Sequence, residues 1–433
     1  MTPRIDEIPK RELFNKAVEV LSSQIYSYPF KIDARQKPSD FSRKGKLGFE
    51  NTILIALNFC SKTMQIEIDH FYELIGEPEY AVTKAAYFDA RTKLKYETFS
   101  ILLDSMIEIA AGDHPSLKTY GGYRIFALDG SILTLPDTWS LRGVFGVAGG
   151  LNGVASARLS TLTDVLNSGI IMDVRLTKYS AGERESALNH YTRLDSLGIG
   201  DKSLVLHDRG YISEQMIRDL KSKNIHYIFR VPKGWNKAVD KLDVNTDAIM
   251  EIKVNGAMLT ERIVKFELDN GETETLLVDP ALPAEIFTFE KLKEIYFLRW
   301  GIEINYNVLK NELQVENFTG TSSLFIKQDV YATAILLNFV AFTKLESDEI
   351  IEMRTAQKKN KHPQKTNENL LIGYMKDKLI LALLAGSLEE RAYYIESIIR
   401  SAARYPIPVR TGRSCPRVTK HRAKHPNNRK RAI

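Results

Sequence analysis

Tyr296, Arg299, Glu303 and Lys310 stand at offsets 0, 3, 7 and 14 in the stretch IYFLRWGIEINYNVLKNEL. At about 100° per residue an α-helix gathers them within roughly a sixth of its circumference. Ile295, Leu298, Ile302 and Leu309 gather on another face. The spacing therefore predicts one helix from about Phe289 to Leu313, with a core side and a charged stripe. An acid bracketed by a phenol and two cations suits the holding of a metal ion beside a phosphodiester. Upstream, the apolar runs YRIFALDGS and SLVLHDRGY each end in an aspartate, Asp129 and Asp208.

Cleavage of nucleic acid by water needs a nucleophile activated at neutral pH and a leaving 3′ oxygen whose developing charge is neutralised. Two Mg²⁺ ions about 3.5–4 Å apart do both, and carboxylates are the hard ligands they prefer. Asp129 is the candidate to bridge the two ions, with Asp208 and Glu303 each holding one side. Each acid also has a purely structural explanation. Asp129-Gly130 is a common turn pair, Asp208 ahead of Arg209-Gly210 suits a helix entry, and Glu303 stands where a surface pair with Arg299 forms on a helix. Their conjunction, two strand-terminal aspartates followed by an acid on a late helix with aromatic and basic companions, outweighs the three explanations taken singly.

The elements that must position these residues follow from the apolar periodicity. Residues 1–118 are expected to be helical, since KRELFNKAVEVLSSQIY, NTILIALNFC and YETFSILLDSMIEIAA carry apolar residues at three-to-four spacing. AVTKAAYFDARTKL adds a short helix pair bearing Lys84, Arg91, Lys93 and Lys95, and DHPSLKTYGG marks a boundary. From Tyr123, YRIFALDG, ARLSTLTDVL and IIMDVRLTKY read as three strands, the last two joined at Asn167-Ser168-Gly169. SAGERESALNHYTRLDSL reads as a helix opened by a Ser180–Glu183 capping box. SLVLHDRG is a fourth strand, SEQMIRDLKSKN a helix and HYIFRVP a fifth strand.

That order predicts an α/β (α+β multidomain) chain whose RNase-H-like core spans 119–345 between helical N-terminal and C-terminal regions. EIKVN, LTERIVKFEL and ETETLLVD alternate between turns at Asn255-Gly256 and Asn270-Gly271, predicting a small β-rich insertion over about 233–284. Beyond the charged helix lies another apolar one, SSLFIKQDVYATAILLNFVAF. Residues 346–403 are expected to be a charged linker, to about 369, followed by a helix over about 370–400.

Hydrophobic residues make up 44% and charged residues 26% of the 433, an ordinary globular balance that accommodates two or three domains. No apolar run approaches about 20 residues, so no membrane span is expected. MTPRIDEIPKREL lacks the apolar segment of a secretory signal, and Cys60 and Cys415 supply neither a disulfide framework nor a zinc spacing, which suits a reducing cytoplasm. From Arg404 to Ile433 there are ten Lys/Arg and no acids, leaving residues 1–403 at −4, ten below the whole chain's +6. The tail 404–433 reads as a disordered or extended basic arm suited to nucleic-acid phosphates. Gly143, Gly146, Gly149, Gly150 and Gly153 precede no Gly-Lys-Ser/Thr, so they read as a mobile loop near the active site rather than a nucleotide cradle. His207 reads as structural or phosphate-facing.

Tyr296-x2-Arg299-x3-Glu303-x6-Lys310 resembles, position for position, the signature of the IS4-type insertion-sequence transposases, a branch of the DDE transposases. ALDGSILTLPDT is similar to that family's first-aspartate block and VLHDRGY to its second, and the likeness covers roughly 120–345. The resemblance implies Asp129, Asp208 and Glu303 as metal ligands for two Mg²⁺ ions, with Mn²⁺ as an alternative. It implies Tyr296, Arg299 and Lys310 as contacts to phosphates near the transposon end. Arg230 in YIFRVPK, 22 residues after Asp208, resembles the family's strand arginine, and a guanidinium grips phosphate in a bidentate way.

The implied partners are double-stranded DNA, as transposon ends and target, and a second copy in a homodimeric synaptic complex, with an end-binding domain in the N-terminal region. The sequence departs from the pattern at one point. Relatives that stack an aromatic on a flipped base carry it in the β insertion, near Thr275 here, where no tryptophan stands; Trp235 and Trp300 do not align with it. The expected function is cut-and-paste DNA transposition on the nucleoid in the cytoplasm. The rival is a domesticated, non-catalytic DNA-binding derivative. A phosphatase-type Asp-x-Asp-Gly motif is disfavoured because Ala127 stands where its nucleophile belongs.

Overall fold

The computed structural model describes residues 12–409 except 44, 59–62, 151–152, 255, 269–270, 357 and 359. The basic arm from Arg410 onward, both cysteines and the Asn255 and Asn270 turn positions lie outside the described residues. Segments Leu117–Ile132 and Arg158–Tyr306 form one compact unit, and the remaining described residues form another.

Nine strands make one sheet: β1 (Arg124–Thr134), β2 (Val147–Ala148), β3 (Val154–Asp164), β4 (Ile170–Lys178), β5 (Ser203–His207), β6 (His226–Arg230), β7 (Thr246–Val254), β8 (Ala257–Glu267) and β9 (Thr273–Val278). The order is β2-β3-β1-β5-β6-β9-β8-β7, with β4 also paired to β3. β5 runs parallel to both β1 and β6. The core path β4-β3-β1-β5-β6 keeps the first strand central, a hairpin on one side and two parallel strands on the other, which is the RNase-H-like arrangement. β5 is buried at every position, as expected of a strand covered on both faces.

One cover is the pair α1 (Glu183–Ser196) and α2 (Glu214–Ser222). Tyr191 of α1 reaches His207, its hydroxyl 2.6 Å from Nε2. On the opposite face, reached by alternate strand residues, Ile125, Leu204, Leu206 and Ile228 share a core with Leu292 and Ile295 of α3 (Phe289–Phe297).

The expected β insertion extends the sheet: β9 pairs antiparallel with β6, and Phe266, Leu276 and Val278 join the same core. Three expectations need correction. Asp129 does not end its strand, since β1 runs on to Thr134. The charged-stripe helix is not continuous. After α3, Leu298–Trp300 is a 3₁₀ turn, α4 (Gly301–Asn307) resumes, and Val308–Glu312 is a π turn. A 100° spacing therefore holds only piecewise.

In the other unit, the charged segment after residue 345 begins as helix rather than linker, because Ser323–Thr355 is one helix of 33 residues. Glu346, Ser347, Ile350 and Ile351 are buried in it, and Asp348 accepts from Thr366 N at 2.6 Å. By length and composition this helix is apolar enough to cross a membrane, but 67% of its most apolar window is buried. It packs on the helices Glu12–Ile25, Glu97–Ala111 and Leu388–Ala402. Arg91, one of the basic residues of the N-terminal region, is also interior, paired with Asp329 at 2.9 Å.

Candidate active site

The β1–β5 ladder pairs Arg124 with Ser203 and Ala127 with Leu206. Continued for two residues, this register sets Asp129 beside Asp208. Between β5 and β6, His207 pairs with Phe229, so Arg230 comes next to Asp208. Asp129, Asp208 and Arg230 thus form a row across three neighbouring strands. The row lies at the carboxyl ends of β5 and β6, where open α/β sheets bind ligands. Arg230 Nη1 is 3.8 Å from Asp208 Oδ1, and its Nε is 2.7 Å from Glu274 Oε1 on β9.

The broken helix meets this row. Tyr296, in the last turn of α3, donates from its hydroxyl to His207 O at 3.4 Å. Burial pushes that phenol up, Arg299 pulls it down, and Asp208 and Glu274 push it further. Arg299, itself 5% exposed, lies 3.6 Å from Glu303 Oε1. The surface pair that accounts for Glu303 structurally is therefore present, though its cationic half is interior.

The same guanidinium acts on Asp129. Burial pushes the Asp129 carboxyl up to about 6, while the Gly130 N–H, donating at 2.8 Å, and Arg299 oppose the rise; Glu183 and Asp208 add to it. His207 faces away from the row, stacked on Phe229 at 4.2 Å, and burial pulls it down to about 3. It is structural and neutral. Lys310 belongs to the π turn in the other compact unit.

Four atoms in this neighbourhood are buried with no hydrogen-bond partner among the described residues: Asp208 Oδ1, Tyr211 Oη, Arg299 Nε and Arg158 Nε. Hard carboxylate oxygens fit a divalent cation, and a cation relieves a carboxyl that burial and other acids have pushed up. As they stand, no three Asp, Glu, His or Cys side chains among the described residues are disposed to hold one metal ion.

α4 is fixed to the sheet at two points. Tyr306, three residues after Glu303, donates to Asp129 O at 2.8 Å and accepts from Thr161 Oγ1 at 3.1 Å. Asn305 Nδ2 donates to Gly169 O at 2.6 Å. Gly169 has φ +82°, and a Cβ there would overlap the Asn305 amide. The Asp129 carbonyl also accepts from Ser160 Oγ at 3.3 Å. Ser160 Oγ is 2.9 Å from His190 Nε2, and His190 Nδ1 is 2.8 Å from Asp173 Oδ2. The order Ser-His-Asp is that of a hydrolase triad, but Ser160 and His190 are 1% and 0% exposed, so these groups brace β1 instead.

Sequence reasoning missed Tyr306, Asn305 and Glu183. The Ser180–Glu183 capping box does not form: Gly182 is the N-cap of α1, without a side-chain cap bond. Glu183 turns instead to an ion pair with Arg158, against the backbone that follows Asp129. No local signal marks such a contact between distant residues.

The profile of the Transposase DDE domain family matches residues 120–339, more than half of the chain. No curated protein matches the sequence. Among solved structures, the chain is similar to the cryo-EM structure of the piggyBac transposase synaptic complex with hairpin DNA. The TM-score there is 0.49 and the identity 9%, over 95% of this chain and 88% of that one. Because the row of residues on adjacent strands, the helix that meets it and the family profile all fall on the same stretch of sequence, the protein belongs to the family of transposases that share the DDE domain.

Proposed function

We propose that this DNA transposase is a cut-and-paste enzyme of the IS4 type, which cleaves DNA at the ends of an insertion sequence and joins the freed 3′-hydroxyl to target DNA. The carrying observation is the row Asp129, Asp208 and Arg230 on adjacent strands, met by Tyr296, Arg299 and Glu303 of the broken helix. Asp129, Asp208 and Glu303 would hold two Mg²⁺ or Mn²⁺ ions. When bound, these ions activate water and neutralise the departing oxygen. Arg230 and Arg299 present guanidinium forks to terminal phosphates, and the buried Tyr296 hydroxyl stays protonated as a donor. Lys310 adds a further phosphate contact. The Tyr306 and Asn305 anchors hold the Glu303 segment against β1.

Each active complex would pair two copies with two DNA ends, and the cytoplasmic nucleoid is the proposed place of action. An excision assay on a plasmid carrying the cognate ends tests the chemistry. Asp208→Ala and Glu303→Gln are expected to abolish cleavage and spare end binding in a gel shift. Wild-type rates in either variant would refute the assignment. One observation favours the rival, a DNA-binding derivative without catalysis: among the described residues, no three acids are disposed around one ion position. Under that reading the wild type binds ends but cuts none with Mg²⁺ or Mn²⁺.

A further inference from the structure

We propose that Glu183 is a fourth carboxylate of the cation site, parked on Arg158 until a divalent ion binds. The inference rests on the transposase reading above but uses a residue outside its three acids. Glu183 opens α1, and a Cβ built on Gly130 would lie 3.6 Å from Glu183 Cγ and 3.7 Å from its Oε1. The carboxylate therefore lies against the backbone directly after Asp129. Its side chain is 44% exposed, so solvent and ions reach it.

Tyr211 gives an independent sign. It is 2% exposed, its Oη has no hydrogen-bond partner among the described residues, and both Asp129 and Glu183 act on it. A buried polar atom left unpaired within the field of two acids marks a place for a polar occupant rather than a closed core contact. Mg²⁺ and Mn²⁺ want six oxygen ligands, which two ions fill more readily from four carboxylates than from three. Without a cation, Arg158 neutralises Glu183. With one bound, the carboxylate exchanges its guanidinium partner for the ion, and Arg158 becomes available to a DNA phosphate.

The experiment is Mn²⁺ binding to the full chain without DNA, followed by the EPR signal of free ion. Glu183→Gln is expected to weaken binding about tenfold. Arg158→Gln, which removes the competitor, should tighten it severalfold, and the double variant should match Glu183→Gln alone. If Arg158 were merely a nearby positive charge, its removal would tighten binding in both backgrounds; that result, or unchanged affinity in Glu183→Gln, overturns the proposal. Should Glu183→Gln not fold, Glu183→Asp, with its shorter arm, is expected to weaken binding too, and wild-type affinity there counts against the role. Asp129→Asn separates the two levels. Intact Mn²⁺ binding in that variant sinks the three-acid reading itself, whereas loss there with none in Glu183→Gln refutes only the role given to Glu183.

Discussion

Asp129 is the residue at which stability and the proposed chemistry oppose each other. Its carboxyl is pushed from 3.8 up to about 6, mainly by burial. Between about pH 4 and 6 the folded chain therefore holds a proton that the unfolded chain has released, so stability falls as pH rises through this window and levels off above it. Asp129→Asn removes the buried charge. It should raise stability at pH 7.5 by an amount on the order of 2 kcal/mol, seen as a higher melting temperature, and change little at pH 4. Mg²⁺ should raise the melting temperature of the wild type but not of the variant. A variant that melts below the wild type at pH 7.5 would contradict the burial argument. Glu303 differs in its surroundings: it is accessible to solvent, and its 3.6 Å contact is to an interior arginine.

At the scale of elements, the question is what keeps a segment broken by 3₁₀ and π turns in register with β1. Tyr306 and Asn305 are the answer. Tyr306→Phe should cost about 1 kcal/mol of stability, slow end cleavage about tenfold through a misplaced Glu303, and leave end binding unchanged; equal cleavage rates would remove Tyr306 from this role. Gly169→Ala meets both a positive φ and the Asn305 amide. A loss on the order of 2 kcal/mol or more is expected by thermal melting.

Much of this scaffold was legible in the sequence. The strand runs that carry Asp129 and lead up to Asp208, the Asn167-Ser168-Gly169 turn and the two covering helices follow from period-2 and period-3.6 patterning, although β1 runs on past Asp129 to Thr134. What stayed hidden is non-local. Whether Leu298–Trp300 winds as 3₁₀ or α depends on its packing, not its composition. Glu183 carried a complete local explanation as a cap. The charged residues after 345 masked a helix whose buried face includes Ile350 and Ile351.

Across the whole molecule, charge and sheet continuity set the remaining expectations. Ending the chain at Val409 removes nine Lys/Arg. If the arm touches DNA, the truncated protein binds any duplex more weakly, and its affinity falls less steeply between about 50 and 200 mM salt, as read by fluorescence anisotropy. Identical slopes for both proteins would show that the arm plays no part in binding.

The pairing of β9 with β6 carries a consequence of another kind. The segment from 233 to 284 splints the margin of the core sheet: excised, it would bare a row of amides and carbonyls ready to stick to any passing strand, and Arg230 would lose the glutamate that steadies it. Changes in this segment's length are therefore tolerable only on the outer side, toward β7 and β8, and new contacts with DNA or a partner copy are most readily added there.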